Sequence, residues 1–207
     1  MLTLFHSPAS RSSRIIGLLH AMQALDKVDI RLVTIPRQDG TGQRDPANPH
    51  PEGKVPLLVH DGVEIWETGA IMVYLTDLFP ESGLGVPIGH ADRGRFLSWM
   101  VWYGAVLEPA LILDAAGATH PWMTASIRGR AEALARLHGA LISAPWLMGA
   151  RYTVADMLCA SAFLWNGDPL PDQPVVREWT ARCASQPWAG AVDAYDGTLM
   201  ATLSAGS

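Results

Sequence analysis

The chain has 207 residues, 49% hydrophobic and 17% charged, enough apolar material to give one large domain or two small ones a full core. Its net charge of −5 and the lack of any basic cluster argue against a nucleic-acid partner. Two cysteines, Cys159 and Cys183, are too few and too far apart for a zinc site or a Cys-x-x-Cys redox centre, so no metal is expected and a reducing compartment fits.

Residues 2–6 alternate like a strand rather than opening as a leader. No apolar run reads as long enough to span a bilayer. The expectation is a soluble cytoplasmic protein. Leu2-Thr3-Leu4-Phe5-His6 meets the turn signal Ser7-Pro8. From Ser10 the period changes, and Ile15, Leu18, Leu19 and Met22 are spaced as one helix face, with Ser10 and Ser12 as candidate caps. Residues 28–35 read as a strand with Ile30, Leu32 and Thr34 on one side. Residues 36–51 are rich in Gly, Asp, Asn and Pro and predict a loop with at most a short helix. Residues 57–65 predict a hairpin turning at Asp61-Gly62. Ile71, Tyr74, Leu75 and Leu78 then mark a helix. The order β-α-β, loop, β-β-α predicts a small sheet with helices against it.

Residues 80–90, rich in Gly and Pro, are the linker candidate, and strand signals stop after them. Phe96, Trp99, Met100 and Tyr103 form a helical face running to Leu107 or beyond, with a kink or interruption expected at Glu108-Pro109. Residues 116–121 are a break, and Ile127, Ala131, Leu134 and Leu141 mark the next helix. Thr153-Val154-Ala155-Asp156 has the form of a capping box with Asp in place of Glu. The helix it opens is expected to run to Trp165. Residues 167–174 read as a loop, Val176, Trp179 and Cys183 as a further helix, and Pro187-Trp188 as the start of the last. The predicted organisation is an α/β domain over 1–79, a linker over 80–90 and an all-helical domain over 91–207.

The most informative stretch is Gly53-Lys54-Val55-Pro56, followed by the hairpin and Glu67-Thr68-Gly69-Ala70-Ile71. A proline entering a strand offers no N–H, which leaves the backbone of Val55 outside the ladder and open to an extended ligand that pairs like an added strand. Glu67 and Thr68 fall where a helix begins, where free N–H groups and the helix dipole hold a carboxylate, while Glu67 can take an ammonium. Asn48 and Asp61 read as turn formers rather than ligands. Together with Asn48-Pro49, these segments resemble the glutathione-site motifs of the glutathione S-transferases, and later landmarks fall in order over nearly the whole chain. The resemblance implies a thioredoxin-like N-terminal domain followed by a helical domain, and a cis bond before Pro56. It also implies glutathione as co-substrate, with no metal, and a homodimer with the site near the subunit interface. Lys54, Val55, Glu67 and Thr68 would bind the glutathione. Gly149 with Thr153 and Asp156 looks like the family's structural helix cap.

The family's reaction needs a thiolate, and a thiol of pKa about 8.5 is mostly protonated at neutral pH. A hydroxyl aimed at the sulfur near a helix N-terminus stabilises the anion. In Ser7-Pro8-Ala9-Ser10-Arg11-Ser12-Ser13-Arg14, Ser10 best matches the family's serine, with Ser12 and Ser7 as reserves. Read from the residues alone, Ser10 is a helix cap; the resemblance makes it the catalytic hydroxyl. Arg11 either adds positive potential or is solvated, and Lys54 either meets a carboxylate of the tripeptide or stays in solvent. His6 reads as a polar strand end. The lack of cysteine in this loop argues against members that form mixed disulfides with glutathione or isomerise through a Ser-Ser-Cys motif. Trp99, Trp102, Tyr103, Leu107 and Leu111 are candidates for an apolar pocket between domains, though most are expected in the core. The expected function is attack of the glutathione thiolate on an apolar electrophile. The alternatives are a non-catalytic binding or regulatory module, or another glutathione-dependent reaction such as that of a dehalogenase, peroxidase or isomerase.

Overall fold

A computed structural model describes residues 1–164 and 171–205. The helix end expected at Trp165 and the 167–170 part of the expected loop lie outside the described residues. The strands are β1 (Leu2–His6), β2 (Asp29–Leu32), β3 (Leu57–His60) and β4 (Val63–Trp66). The α-helices are α1 (Ser13–Ala21), α2 (Thr68–Leu78), α3 (Arg93–Trp102), α4 (Glu108–Ala115), α5 (Pro121–Ile127), α6 (Arg130–Leu141), α7 (Val154–Leu164), α8 (Pro174–Ala184) and α9 (Pro187–Ala205). The chain forms two units, residues 1–75 with 187–207, and residues 76–186.

In the first unit the sheet order is β2-β1-β3-β4. β1 runs parallel to β2 and antiparallel to β3, and β3 is antiparallel to β4. With helices beside it, this four-stranded mixed sheet is the thioredoxin-like arrangement. β1 is inner and buried along its whole length, which explains why its alternation carries apolar residues at most positions. Asp61 and Gly62 adopt φ of 48° and 84°, the left-handed pair that a two-residue hairpin turn requires. Asp61 also pairs with the amino terminus of Met1.

β2 is shorter than the strand predicted over 28–35, and its faces differ from the expected ones. Leu32 is 41% exposed, whereas Val28 and Val33, flanking the strand, are buried. An edge strand of four residues is not held to one alternation by a core on both sides. Val33 instead joins Phe5, Val55 and Leu57 in an apolar cluster.

The last helix, α9, packs on α1 within the sheet-containing unit. Gly17 permits the contact: a Cβ there would lie 2.8 Å from Val192 Cγ2 and 3.0 Å from Trp188.

In the second unit, α3 and α4 are joined by a π-helical turn, Tyr103–Leu107, so that Arg93–Ala115 is one continuous run of 23 residues. The interruption expected at Glu108-Pro109 does not occur. The wider turn lets the N–H of Glu108 bond the carbonyl of Tyr103, so the change of hydrogen-bond register comes directly before Pro109, which has no N–H to give. Unbroken, this helix is long and apolar enough to cross a bilayer by length and composition, a test that core helices also pass, and two shorter pieces would not meet it. Phe96, Trp99, Met100 and Tyr103 are its buried face, as their spacing predicts.

The predicted capping box opens α7. One carboxylate oxygen of Asp156 accepts from the N–H of Thr153 at 3.0 Å, and the other from the N–H of Leu147 at 2.8 Å and Trp179 Nε1 at 3.0 Å. Thr153 Oγ1 accepts from the N–H of Ala155 at 3.3 Å. Burial pushes the Asp156 carboxyl above its ordinary value even though these donors pull it down.

Candidate functional site

The sheet gathers the predicted site at one end. Phe5 pairs with Leu57, and Leu57 with Trp66, so these three residues form one cross-strand row. One step beyond the row lie His6 and the Ser7 loop after β1, the Val55–Pro56 bond before β3, and Glu67 after β4. The parallel strand β2 ends at the same side, which brings the 33–37 segment there too.

Val55–Pro56 is cis, as the resemblance implied. Among the described residues, neither the N–H nor the C=O of Val55 bonds to the protein. The segment is held from behind by Asn48, whose Nδ2 donates to the carbonyl of Lys54 at 3.0 Å while its Oδ1 accepts from the N–H of His50 at 3.1 Å. Val55 itself is buried. Lys54 is exposed, and its ammonium pairs with the Glu52 carboxylate.

Glu67 adopts φ of 70°, uncommon for a residue with a side chain, and its carbonyl accepts the first helical bond of α2, from Ile71 at 3.0 Å. Its side chain is exposed. Thr68, the first residue of the helix, is 8% exposed.

The serine loop is the most connected part of the site. Neither Ser10 nor Ser12 caps α1 in the expected way: Ser12 is the N-cap residue but its side chain makes no cap bond. Ser10, half-buried, donates its hydroxyl to the carbonyl of Ser7 at 2.7 Å, and its Oγ lies 2.8 Å from Ser12 Oγ. It also accepts the N–H of Ser12 at 3.2 Å, a serine turn one residue ahead of the helix. Ser12 is fully buried, and its Oγ lies 2.8 Å from His6 Nδ1. The other ring nitrogen of His6, Nε2, lies 3.1 Å from Asp196 Oδ1. Asp196 Oδ2 then accepts from the N–H of Ala9 at 2.8 Å and from the hydroxyl of Ser13. Burial raises the Asp196 carboxyl, but the bonds from His6, Ser13 and Ala9 outweigh it and hold the group below the ordinary carboxylate value. From outside, Arg37 donates to Ser7 Oγ at 3.2 Å, to the carbonyl of Pro8 at 2.8 Å and to that of Ala9 at 3.3 Å.

The sequence does not point to His6, Asp196 or Arg37 as site residues, and it points to Ser12 only as a reserve. A histidine closing an otherwise apolar strand, directly before a run of serines, is the signal that could have marked His6. Nothing in the sequence ties it to Asp196, 190 residues away.

Of the apolar-pocket candidates in the second unit, Trp99, Tyr103, Leu107 and Leu111 are buried. Trp102 is half-buried and meets Trp99 edge-on at 5.3 Å, with the Arg136 guanidinium over both rings. The thiols of Cys159 and Cys183 are buried and pushed upward by desolvation, which makes both poor nucleophiles.

Residues 1–77 match the family described as glutathione S-transferase, N-terminal domain. The chain is 28% identical to the disulfide-bond oxidoreductase YfcG of Escherichia coli K12, over 92% of this chain and 93% of that protein. It is similar in structure to a glutathione transferase from Methylococcus capsulatus, with a TM-score of 0.77 and 25% identity over 96% of this chain and 100% of the other. A sphingomonad glutathione S-transferase complexed with glutathione gives 0.75 and 27% identity, over 94% of this chain and 98% of that one.

Proposed function

Because the chain belongs to the glutathione S-transferase family, we propose that it binds glutathione across the sheet end described above and uses Ser10 to stabilise its thiolate for attack on an apolar electrophile. The observation that carries this reading is the single row formed by Phe5, Leu57 and Trp66, which aligns the Ser7–Ser12 loop, the unpaired backbone of Val55 and the start of α2. Strands lie about 4.8 Å apart, so the outer two of these three features are separated by about 10 Å. An extended tripeptide covers about the same length.

In this reading the cysteinyl unit pairs with the backbone of Val55. The glutamyl carboxylate meets the free N–H groups and hydroxyl at Thr68, and the ammonium meets Glu67. Lys54 adds positive charge once its pairing with Glu52 loosens; both side chains are exposed, so that pairing is weak. The sulfur then lies toward the Ser10 hydroxyl and the positive end of α1. The protein acts as a homodimer.

A second reading is glutathione-dependent disulfide reduction, favoured by the similarity to YfcG. With Cys159 and Cys183 buried, the redox thiol would be that of glutathione itself. Calorimetric titration with glutathione tests the binding step, and saturable binding that Glu67→Ala weakens about tenfold is expected, the loss of a charge-assisted contact worth about 1.5 kcal/mol. Absence of binding would remove both readings. Turnover of an activated aryl halide against a small dialkyl disulfide then separates them.

A further inference from the structure

We propose that His6 receives the thiol proton of bound glutathione through a chain of two hydroxyls, Ser10 and Ser12, and holds it as an imidazolium paired with Asp196. This rests on the reading of Ser10 as the residue facing the sulfur, and it states where the proton goes.

The chain is continuous in the structure: Ser10 Oγ to Ser12 Oγ at 2.8 Å, Ser12 Oγ to His6 Nδ1 at 2.8 Å, and His6 Nε2 to Asp196 Oδ1 at 3.1 Å. Only Ser10 is open to solvent; His6 and Ser12 are both fully buried. A buried imidazole with a carboxylate on one nitrogen and a hydroxyl on the other has one consistent neutral form. Nε2–H donates to Asp196, which leaves Nδ1 to accept from Ser12. Ser12 Oγ then accepts from the N–H of Ser7 at 3.1 Å, and Ser10 donates to the carbonyl of Ser7. In the protonated form Nδ1–H donates to Ser12 Oγ. The Ser12 hydroxyl turns to the Ser7 carbonyl, 3.2 Å away, or to Ser10 Oγ. The hydrogen of Ser10 is then released toward the sulfur.

The transfer balances. Transfer begins when the Ser10 O–H turns from the Ser7 carbonyl at 2.7 Å to Ser12 Oγ at 2.8 Å. The S–H bond then breaks and its proton goes to Ser10 Oγ; the former Ser10 proton goes to Ser12 Oγ, and the former Ser12 proton to His6 Nδ1. The products are a thiolate, two neutral hydroxyls and an imidazolium beside a carboxylate. The Ser10 O–H now points at the sulfur, so the transfer that creates the thiolate also orients its donor. The charge on His6 stays out of water but is compensated by Asp196, whose other oxygen is already held by Ala9 and Ser13. Other titratable or charged groups on the elements around this chain include Arg14 and His20 of α1, Arg11 of the serine loop, Asp29 and Arg31 of the edge strand β2, Asp193 and Tyr195 of α9, the Tyr195 ring centroid lying 6.1 Å from that of His6, and Arg37, which donates to Ser7 Oγ. His6 and Asp196 act through the serines and are positioning residues.

The test counts protons. Glutathione is added to the whole protein in weakly buffered solution near neutral pH, and thiolate absorbance and proton release are read on the same sample. The proposal predicts well under one proton released per thiolate formed, since the proton stays on His6. Ser12→Ala cuts the chain, and Asp196→Asn removes the counter-charge. Each variant should form less thiolate and release about one proton for each thiolate it does form. His6→Asn keeps an acceptor for Ser12 but no base, and should behave likewise; if it does not fold, the Ser12 variant, which removes one oxygen, carries the comparison. Release of a full proton per thiolate by the unaltered protein overturns the relay while leaving the function reading intact. Failure to bind glutathione, or to form thiolate at all, overturns that reading and the relay with it.

Discussion

Ser10 lies in a loop where every nearby hydroxyl has a defined partner, so replacing it has a narrow expected effect. Ser10→Ala should raise the pKa of the bound thiol by one to two units, each about 1.4 kcal/mol, with little change in glutathione affinity. An ultraviolet pH titration of the complex measures it. Asp196 makes a separate prediction for folding. Its carboxyl sits below its ordinary value of 3.8 because His6, Ser13 and Ala9 donate to it. A depressed carboxyl stabilises the fold above its unfolded pKa, and that contribution is lost as the pH falls through the lower folded value. Thermal melting should therefore show the unaltered protein losing stability more steeply than Asp196→Asn below about pH 4. Equal slopes would mean that the network around His6 does not hold the carboxylate.

Among the elements, α9 places Asp196, and α9 is seated by the close approach at Gly17. Gly17→Ala introduces a Cβ at 2.8 Å from Val192, a branched side chain with little freedom to move. The expected loss is about 1–3 kcal/mol in chemical denaturation, accompanied by weaker thiolate formation because Asp196 shifts with the helix. A variant that loses stability but ionises glutathione normally would separate the packing of α9 from the site. At α7, Asp156→Ala would leave the N–H groups of Leu147 and Thr153 and the indole of Trp179 without their acceptor. At roughly 1–3 kcal/mol per stranded buried donor, the second unit should unfold first in urea.

What the sequence conveyed follows from how local each signal is. The Asp61-Gly62 turn, the Val55–Pro56 entry, the Thr68 helix start and the Thr153–Asp156 cap each depend on residues within a few positions of one another, and each is where the reading put it. The edge strand β2 is four residues shorter than the alternation of Ile30, Leu32 and Thr34 suggests, because Val28 and Val33 are what the structure buries. The helix face extends past Leu107 as its spacing implies, but Glu108-Pro109 does not interrupt it, because the π turn before it shifts the hydrogen-bond register. His6 reads locally as a strand end, since its contact with Asp196 of α9 is one that no local pattern encodes.

For the whole molecule, the central claim is that one end of the sheet binds glutathione and ionises its thiol beside Ser10. The most direct measurement is the ultraviolet difference spectrum of glutathione bound to the unaltered protein, titrated from acid to alkaline pH and repeated with Ser10→Ala. The account predicts a thiolate band that persists well below the free thiol's pKa of about 8.5, and a return toward that value in the variant. A bound thiol that titrates like free glutathione in the unaltered protein, or an unchanged low pKa in Ser10→Ala, would contradict it.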